Sequence, residues 1–260
     1  MIRQRVEGVT YYRFERLAEV VELVHAAFTR LGGVSKEPYA TLNLGHSVGD
    51  DHAAVEENHR RALHSLGVAP GTPVSPYQVH GARVAVVTHA HLGTVQPATD
   101  ALVTREPGVP LLLRFADCTP VILWDTGGGG VGLAHVGRRG VTEGTARAAV
   151  EAMTERLGSD PARIWAGIGP AIGACCYKVQ PDDAAAVEAA CPPGSDVVRR
   201  VGGSTHVDMP RAVEAQLRAA GVQQVESARL CTACHVDEFF SHRAERGRTG
   251  RFGVLIEIRE

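Results

Sequence analysis

The 260-residue sequence lacks long apolar runs and lacks an excess of charge of either sign. Its first residues, MIRQRVEGVTYYRF, contain no apolar run suited to a signal peptide, and no segment approaches the ~20 apolar residues that span a bilayer. With 27 basic and 29 acidic side chains, the formal charge of -2 provides no long-range attraction to nucleic acid or to an anionic membrane. We therefore expect a cytoplasmic protein that binds neither nucleic acid nor membranes.

Internal repeats and linkers are also absent from the sequence. The only low-complexity segment is the run of glycines from Gly127 to Gly130. Apolar residues make up 44% and charged residues 22%, which is ordinary for a globular protein. We expect a single domain over residues 1–260, working as a monomer or a small homo-oligomer.

Helix-like and strand-like patterns are mixed without a strict βαβ order. Apolar residues recur at helical spacing before a glycine from Ala53 to Leu66 and from Glu143 to Leu157, which predicts two helices. A third helix is predicted between Asp208, which can cap its first turn, and Gly221. Runs of β-branched and aliphatic residues predict five strands: Leu111 to Phe115, Val121 to Trp124, Val131 to Ala134, Ile164 to Ile168 and Val254 to Ile258.

The two predicted strands that flank the glycine run, Val121 to Trp124 and Val131 to Ala134, are expected to pair as an antiparallel hairpin. Helices and an antiparallel pair in one chain are typical of α+β folds. We therefore predict the α+β class, with one mixed central β-sheet packed with helices.

The six cysteines do not indicate a disulfide framework in a chain of this length and compartment. Three segments place a metal-ligand type of side chain at a predicted strand end or turn: PYQVHGARV around His80, RFADCTPVILWD around Cys118 and VGLAHVGRRG around His135. The glycine hairpin can bring Cys118 close to His135, whereas His80 has to arrive from another strand.

Two imidazoles and one thiolate form a ligand set that suits zinc. Zinc binds nitrogen and sulfur in tetrahedral geometry, and three protein ligands leave the fourth position to water, as in catalytic sites. Such a site keeps Cys118 deprotonated and lowers the pKa of a bound water to about 7. On spacing alone, however, a cysteine between apolar strands is more often a small buried hydrophobic residue.

Longer motifs extend over nearly the whole chain and carry a family resemblance. They are TRLGGVSKEPYATLNLGHSVGDD from Thr29, QVHG from Gln78, DALVTREPGVPLLLRFADCTPVIL from Asp100, AHVGRRG from Ala134, IGPAIGACCYKV from Ile168, CTACHVDEFFSHR from Cys231 and GRTGR up to Arg251. Together they resemble the laccase-domain family, formerly called multicopper polyphenol oxidases, which includes peptidoglycan editing factors. Its members are now regarded as purine nucleoside phosphorylases and adenosine deaminases. The resemblance also implies a fold similar to the cysteine hydrolase domain of cytotoxic necrotizing factor.

The resemblance implies a zinc-bound active site formed by His80, Cys118 and His135. It implies an enzyme that uses phosphate to cleave adenosine, inosine or methylthioadenosine and that also deaminates adenosine. Copper suits the site less well than zinc, because phenol oxidation needs several copper sites with paired histidines, and only His89 and His91 form such a pair.

Three positions depart from the family pattern. The family commonly has HAGWRG where this chain has Val136 and Arg138, which changes a wall of the expected pocket. The family often has glutamate in a YEV motif where this chain has Lys178. We expect an altered substrate preference from both changes.

Substrate-binding residues are predicted from the chemistry of phosphate and nucleoside. Arginine pairs with two phosphate oxygens through its planar guanidinium. The candidates are Arg30, Arg138, Arg139, Arg243, Arg248 and Arg251, with Arg30 the leading one because it lies in the long first motif. Asn43 can hydrogen-bond a base or a ribose hydroxyl, although asparagine in a turn commonly satisfies its own backbone.

Asp117 lies directly before Cys118 and is a candidate catalytic residue. In deamination it would move protons to the departing amine. Neighbouring residues on a strand face opposite sides, so the alternative is that Asp117 anchors the turn or orients a ligand imidazole.

Two further interpretations stay open. Cys118 and His135 can act as nucleophile and base of a cysteine-histidine hydrolase or amidase, with peptidoglycan precursors as substrates. The CTACH segment from Cys231 to His235 matches a haem-attachment motif and half of a zinc knuckle. We favour a structural or pocket-lining role for it, because there is no second CxxC and Cys175 and Cys176 are adjacent.

Overall fold

The computed structural model describes residues 1–259 as strands, helices and their connections. The strands are β1 (Ile2–Val6), β2 (Val9–Arg13), β3 (Leu23–Phe28), β4 (Ser75–Pro76), β5 (Val84–Val86), β6 (Val95–Gln96), β7 (Ala101–Thr104), β8 (Leu111–Phe115), β9 (Thr119–Asp125), β10 (Gly130–Val136), β11 (Ile164–Ile168), β12 (Lys178–Val179), β13 (Val198–Val201), β14 (Ser204–Val207), β15 (Gln224–Ser227) and β16 (Phe252–Ile258). The helices are α1 (Glu15–Ala18), α2 (His52–His64), α3 (Arg138–Glu143), α4 (Thr145–Leu157), α5 (Pro181–Ala189) and α6 (Met209–Ala219).

Two large sheets organise the fold. The first sheet has the order β1-β2-β3-β16-β8, and the second has the order β15-β11-β9-β10-β7-β5. The second sheet is mixed, because β11 and β15 pair in parallel, as do β5 and β7, while its other pairs are antiparallel. The α+β class with a mixed sheet is confirmed.

The prediction of one central sheet is wrong, because the five predicted strands divide between two sheets. β8 and β16 lie in the first sheet, whereas β9, β10 and β11 lie in the second. The chain crosses from one sheet to the other between β8 and β9, through residues 116–118. Both sheets are rich in apolar residues, so strand composition alone does not reveal which strands pair.

The second sheet is buried on both faces. One face of β9 and β10 packs against the first sheet, and Ile122 and Leu133 share a cluster with Leu113 of β8. The other face packs against α4 and α6, and Leu123 shares a cluster with Met153. This double burial explains why these strands read as nearly continuous apolar runs instead of alternating ones.

The outer face of the first sheet packs against α2. Leu63 of this helix clusters with Leu112 and Leu255, which lie on neighbouring strands of that sheet. The layers therefore run helix, sheet, sheet, helix. Within residues 1–259, none of the helices combines the length and the apolar composition that crossing a bilayer requires.

Several local predictions are confirmed. β9 and β10 form the antiparallel hairpin around the glycine run, with Val131 opposite Trp124. The Asp208 side chain accepts a hydrogen bond from the Arg211 backbone N–H and caps α6, as expected. The helix predicted from Glu143 begins at Thr145 instead, because Gly144 adopts a left-handed conformation with φ of 80° between α3 and α4.

His25 on β3 is a titratable group inside the first sheet, with 1% of its surface exposed. Its Nε2 accepts a hydrogen bond from the Phe14 backbone N–H at 2.9 Å. Burial, followed by the positive charge of Arg13, lowers the pKa of His25 to about 3. The folded protein therefore holds this imidazole neutral at pH values where the unfolded chain protonates it.

We expect acid to destabilise the protein through His25. An unfolded histidine has a pKa of about 6.5, so the unfolded state binds one more proton than the folded state as pH falls from there towards the folded pKa. This lowers the free energy of unfolding by about 1.4 kcal/mol per pH unit. His25→Gln keeps an acceptor for Phe14 and removes the titration. Urea unfolding of the wild type and of His25→Gln, each with a metal chelator present, measures the free energy of unfolding at each pH. Between about pH 6 and 4 this free energy should change less steeply with pH in the variant, by about that amount. Parallel slopes would contradict the buried neutral imidazole.

Candidate metal centre and active site

Three side chains that are distant in sequence meet at one end of the second sheet. His80, Cys118 and His135 each contribute one ligand atom, and these atoms all lie within 4.8 Å of one another. His135 is buried, Cys118 is partly buried and His80 is exposed. The group can therefore be reached from solvent, and the convergence predicted from the three segments is confirmed.

The two sheets explain how the three residues converge. His135 lies near the end of β10, opposite Pro120 of β9, so the chain just before β9 places Cys118 beside it. Cys118 itself belongs to the crossing between the first and second sheets. His80 comes from the loop between β4 and β5 and approaches from the other side of β10.

Asp100 joins the His80 loop to His135. Its carboxylate, which is completely buried, accepts hydrogen bonds from the backbone N–H groups of Val79, His80 and Gly81 at 3.1, 2.9 and 2.8 Å. It also bonds Nδ1 of His135 at 2.9 Å. In the neutral ring Nδ1 carries the proton, so Nε2 of His135 is the nitrogen that offers a lone pair to a metal once its own proton is lost. One carboxylate therefore fixes the ring of one histidine and the backbone of the other.

Gly137 allows the close approach of the ligand side chains. A Cβ atom at this position would lie 3.0 Å from Cδ2 of His80 and 3.1 Å from Sγ of Cys118. The backbone also takes unusual conformations here, with positive φ of 62° at His80 and 84° at Asp117. Non-glycine residues in the left-handed region persist where the surrounding structure holds them, and they cluster at functional sites.

The charges of the site favour a thiolate. Burial raises the pKa of the Cys118 thiol, but the charges and hydrogen bonds of His135 and His80 outweigh burial and lower it to about 6. Burial lowers the pKa of His135, whereas the Cys118 sulfur and the Asp100 carboxylate outweigh burial and raise it to about 9. At neutral pH Cys118 is therefore a thiolate, which is the form that binds metals or attacks carbonyl carbon.

A cavity of about 450 Å³ opens onto the three side chains. This volume lies in the range of small-molecule sites in proteins, about 300 to 1,000 Å³. Besides the three residues, its wall includes Tyr77, Arg114, Tyr177, His242, Arg243 and Arg251. Guanidinium and aromatic groups on one wall suit a ligand that combines an anion with a planar ring.

The donor set fits a zinc ion. Two imidazoles and a thiolate are the ligand types that zinc accepts, and Asp100 behind His135 is the partner that zinc-binding histidines commonly have. His80, Cys118 and His135 would hold the ion, and the exposed side at His80 leaves room for a substrate atom. The donor set alone also accepts copper.

The sequence profile described as Multi-copper polyphenol oxidoreductase laccase matches residues 24–259. The chain belongs to this family. The resemblance predicted from the motifs is therefore confirmed.

This laccase-family chain has close relatives in several bacteria. It is 45% identical over 243 residues to the protein named Purine nucleoside phosphorylase ORF3 of Streptomyces griseus, covering 93% of this chain and 97% of the relative. It is 40% identical over 243 residues to Purine nucleoside phosphorylase YlmD of Geobacillus stearothermophilus, covering 89% of each protein.

Solved structures agree with this assignment. The crystal structure of YlmD from Geobacillus stearothermophilus superimposes with a TM-score of 0.93 at 37% identity, covering 99% of this chain and 98% of that one. Bacillus licheniformis hypothetical protein YfiH superimposes with a TM-score of 0.92 at 31% identity, covering 99% of each chain. The laccase-family fold therefore extends over essentially the whole chain.

Arg30, the leading phosphate candidate, does not line the cavity of this laccase-family chain. Its guanidinium donates to the Ala40 and Val236 carbonyls and pairs with Glu245 at 3.0 Å. It also lies over the ring of Phe240, 4.5 Å from the centroid. Arg30 ties three loop segments together, and this use of its donors excludes it from the wall of the cavity.

Asn43 and Arg138 also lie outside the cavity lining. Asn43 is completely buried, and its side chain bonds Gly45, Asp50 and the Arg251 backbone N–H, as the alternative reading of a turn asparagine predicts. Arg138 forms an ion pair with Asp183 on α5. Of Arg30, Asn43, Arg138 and Arg243, only Arg243 reaches the cavity.

Asp117 serves as an anchor in this geometry. Its Oδ1 accepts hydrogen bonds from the hydroxyls of Thr232 and Ser241, both at 2.7 Å, and its Oδ2 accepts from the Arg243 backbone N–H at 2.6 Å. These bonds hold two distant loops against the crossing that carries Cys118. The carboxylate is thus occupied in the way that the anchoring alternative predicts, and the residue that orients the His135 imidazole is Asp100.

Sequence patterns did not reveal most of the cavity wall. Asp100 begins one of the family motifs and His242 lies in another, but neither position indicates a role by itself. Arg251 ends a further motif and is one of the candidate arginines, but its position gives no reason to place it ahead of Arg30. A useful signal was available for Asp100, since it precedes a buried strand in the way that Cys118 precedes β9.

Proposed function

We propose that this chain is a zinc-dependent purine nucleoside phosphorylase that also deaminates adenosine. One observation carries the proposal: His80, Cys118 and His135 meet at the base of a cavity whose wall bears three guanidinium groups. The relatives named purine nucleoside phosphorylase support the same reaction class.

Phosphate binding is assigned to Arg114, Arg243 and Arg251. Arg114 is held by the Leu44 carbonyl at 2.9 Å, and Arg251 by the Gly250 carbonyl at 2.8 Å, so both guanidinium groups are fixed in place. Arg243 is held in the same way by the Lys178 carbonyl at 2.6 Å. Three fixed positive charges bind a phosphate dianion and aim one of its oxygens at the ribose. In phosphorolysis that oxygen bonds to C1′ while the C1′–N9 bond breaks and the purine leaves with a proton.

The base is assigned to the aromatic part of the wall. The ring of Tyr177 lies under the Arg243 guanidinium, with 4.9 Å between the ring centroid and Cζ of Arg243. This contact fixes the orientation of both side chains. Tyr77 is 66% exposed at the cavity, so a purine can stack on it. We assign proton delivery to the leaving purine to His242, an exposed imidazole on the same wall.

When bound at the three ligands, zinc would supply Lewis acidity to an oxygen or nitrogen of the substrate. The chain itself orients the ligands. Asp100 holds the His135 tautomer, Gly137 admits the His80 ring, and Asp117 keeps the Cys118 crossing in place. Adenosine deamination is proposed at this same centre, with Asp117→Asn as the variant that tests a proton-transfer role for that carboxylate.

The decisive experiment separates phosphorolysis from hydrolysis. Purified protein is incubated with adenosine, inosine and methylthioadenosine, with and without phosphate, and the products are separated by chromatography. We expect free base and ribose 1-phosphate, or its methylthio analogue, only when phosphate is present. Conversion of adenosine to inosine should not depend on phosphate. Base release at equal rates without phosphate would overturn the phosphorylase assignment.

The arginine assignment has a matched pair of variants. Arg251→Ala should raise the KM for phosphate by about tenfold or more, since one charged hydrogen bond is worth about 1.5 to 3 kcal/mol. Arg139→Ala removes an exposed guanidinium that pairs with Glu143 and should leave this KM unchanged. Equal effects of both variants would place phosphate elsewhere.

A second candidate function is a cysteine-histidine hydrolase or amidase acting on peptidoglycan precursors. The observation in its favour is the row of Cys118, His135 and Asp100, which matches a nucleophile, a base and the group that orients the base. The expected likeness to the cysteine hydrolase domain of cytotoxic necrotizing factor belongs to this hypothesis. A metal-free, active protein that is inactivated by alkylation of Cys118 would favour it over the phosphorylase.

We also propose that residues 1–260 work as one domain. β1 pairs with β2, and β16 lies between β3 and β8 in the same sheet. The first and last strands therefore belong to one sheet and share one core. A cytoplasmic location and a monomeric or small homo-oligomeric state complete the proposal, and size-exclusion chromatography with light scattering tests the latter.

A further inference from the structure

A second group of metal-ligand side chains lies outside the active site. Cys175, Cys176, Cys231 and Cys234 each present a sulfur atom, and the four sulfurs all lie within 4.8 Å of one another. The Cys175 and Cys176 sulfurs are 3.5 and 3.4 Å from that of Cys234. We call these four residues the cysteine cluster.

The sulfur separations fit a shared metal and not a disulfide. A disulfide joins its sulfurs at ~2.05 Å, whereas two sulfurs bound to one tetrahedral zinc at ~2.3 Å lie ~3.8 Å apart. All four residues are free thiols in the structure. Separations of 3.4 and 3.5 Å are therefore close to those of a four-thiolate zinc site.

The backbone holds the two halves of the cluster side by side. Ala171 and Cys231 form a parallel bridge, with the Thr232 N–H donating to the Ala171 carbonyl at 3.1 Å. The N–H groups of Cys234 and His235 both donate to the Cys231 carbonyl at 3.1 Å, which turns the second cysteine of the CxxC pair back towards the first. The cluster is therefore organised by bonds that do not involve its sulfurs.

Gly173 gives the cluster its space and a hydrogen bond. Its backbone N–H points at the Cys231 sulfur at 3.3 Å, an interaction that stabilises negative charge on sulfur. A Cβ at Gly173 would lie 3.3 Å from the Cys175 sulfur and 3.7 Å from that of Cys231. A side chain here would crowd the position that a central ion needs.

We propose that the cysteine cluster binds a structural Zn²⁺ ion through four thiolates, at a site separate from His80, Cys118 and His135. Four sulfur ligands leave no open position, so this ion takes no part in the reaction and instead fastens the segment after β11 to the CTACH loop. The CxxC pair supplies half of the ligand set, and the adjacent pair Cys175 and Cys176 supplies the other half.

Metal binding sets the charge of the cysteine cluster. Binding exchanges four thiol protons for four zinc–sulfur bonds, which leaves a net charge of -2 on the ion and its ligands. Four arginines line the groove that Cys175 and Cys231 also line: Arg199, Arg211, Arg218 and Arg229. The first three form ion pairs with Asp208, Asp196 and Glu214, so Arg229 is the one whose charge offsets part of the negative charge of the thiolates.

The cluster is coupled to the active site through two neighbours. Thr232, between the cysteines of the CxxC pair, donates to Asp117, and Tyr177, directly after Cys176, lines the active-site cavity. Zinc in the cluster would therefore hold one wall of the cavity in position, which gives the CTACH segment the structural role that its sequence context favours.

Metal counting on the full-length protein tests this proposal. After purification under reducing conditions and dialysis, zinc is measured by mass spectrometry in the wild type, in Cys118→Ala, in the double variant Cys231→Ser with Cys234→Ser, and in Cys191→Ser. Cys191 is a buried thiol outside both groups and serves as the matched control. We expect two equivalents in the wild type and in Cys191→Ser, and one in each of the other two proteins. The double variant should also have a lower Tm than Cys191→Ser.

A spectroscopic measurement keeps the proposal testable if the double variant does not fold. Cys118→Ala retains the complete cysteine cluster, so its remaining zinc should show four sulfur neighbours at about 2.3 Å in X-ray absorption. Cobalt in its place should give the intense sulfur-to-metal charge-transfer bands of a tetrathiolate. A Cys118→Ala protein that binds no zinc would overturn the proposal. So would a thiol count on the denatured protein that is two lower than expected, because two of the cysteines would then form a disulfide.

Discussion

Replacing Cys118 by alanine should lower kcat/KM for phosphorolysis by about 1000-fold or more. Removal of the sulfur takes away the thiolate that holds the proposed ion, and metal-assisted charge stabilisation is worth several kcal/mol, with each 1.36 kcal/mol equal to a factor of about ten. The variant should contain one equivalent of zinc less than the wild type. Steady-state kinetics and metal analysis on the same preparation measure both effects.

The variant His80→Ala then separates the two candidate functions. In the phosphorylase, His80 is a metal ligand, so its loss should remove zinc and activity together. In a cysteine-histidine hydrolase, Cys118 and His135 form the reactive pair, and the His80 variant should keep most of its activity. Cys191→Ser is the control, because it alters a buried thiol whose Sγ contacts the Ala212 carbonyl and none of the three centre residues. This variant should match the wild type in both measurements. If His80→Ala retains both zinc and activity, His80 is not a member of the metal centre.

Replacing Asp100 by asparagine should reduce both zinc affinity at the centre and kcat/KM by about 10 to 100-fold, as expected for a partner of a ligand histidine. Oδ2 of Asp100 accepts from the N–H groups of Val79 and Gly81, and an amide NH₂ in its place would face these donors. If the amide turns round, the NH₂ group instead faces His135 Nδ1, which already carries a proton. Either orientation leaves a buried donor without an acceptor, and this costs about 1 to 3 kcal/mol of stability.

Asp125→Asn provides the matched control for Asp100. Asp125 is also completely buried, but it lies at the opposite end of β9 from Cys118, where its Oδ1 accepts from the Gly127 N–H at 2.8 Å. This variant can lose stability, but its zinc content and its KM for phosphate should not change. Zinc titration with a competing chelator and thermal unfolding are the measurements. An Asp100→Asn protein that binds zinc as tightly as Asp125→Asn would show that Asp100 does not position the ligands.

Short-range patterns predicted the local structure well. The β9–β10 hairpin, the Asp208 cap of α6 and the exact run of β8 follow from glycine placement, capping chemistry and apolar runs, which all act within a few residues. The division into two sheets did not follow, because β8 and β16 have the same apolar character as β9 and β11. Pairing between strands depends on contacts across the whole chain.

The candidate site divides in the same way. Cys118 and His135 could be paired from the sequence because a hairpin of fixed register joins their strands. The sequence could not show which of the candidate arginines face the cavity, because a guanidinium binds whatever acceptors the fold places near it. Arg30 meets the carbonyls of Ala40 and Val236, whereas Arg251 faces the cavity.

The cysteine cluster shows the same limit at longer range. The CxxC pair is visible in the sequence, but its partners are adjacent cysteines that match no spacing rule. The bridge between Ala171 and Cys231, which no local pattern predicts, brings the two pairs together.

The sequence by itself determined the ligand chemistry, the family and the local elements, since each of these is set by residue type and by spacing over short distances. Only the tertiary structure decided which charges face the cavity, that Asp100 bonds both His80 and His135, and that the sulfurs of four cysteines lie close together. Those properties depend on the directions of side chains from segments up to a hundred or more residues apart, and such directions are fixed only when the two sheets pack together.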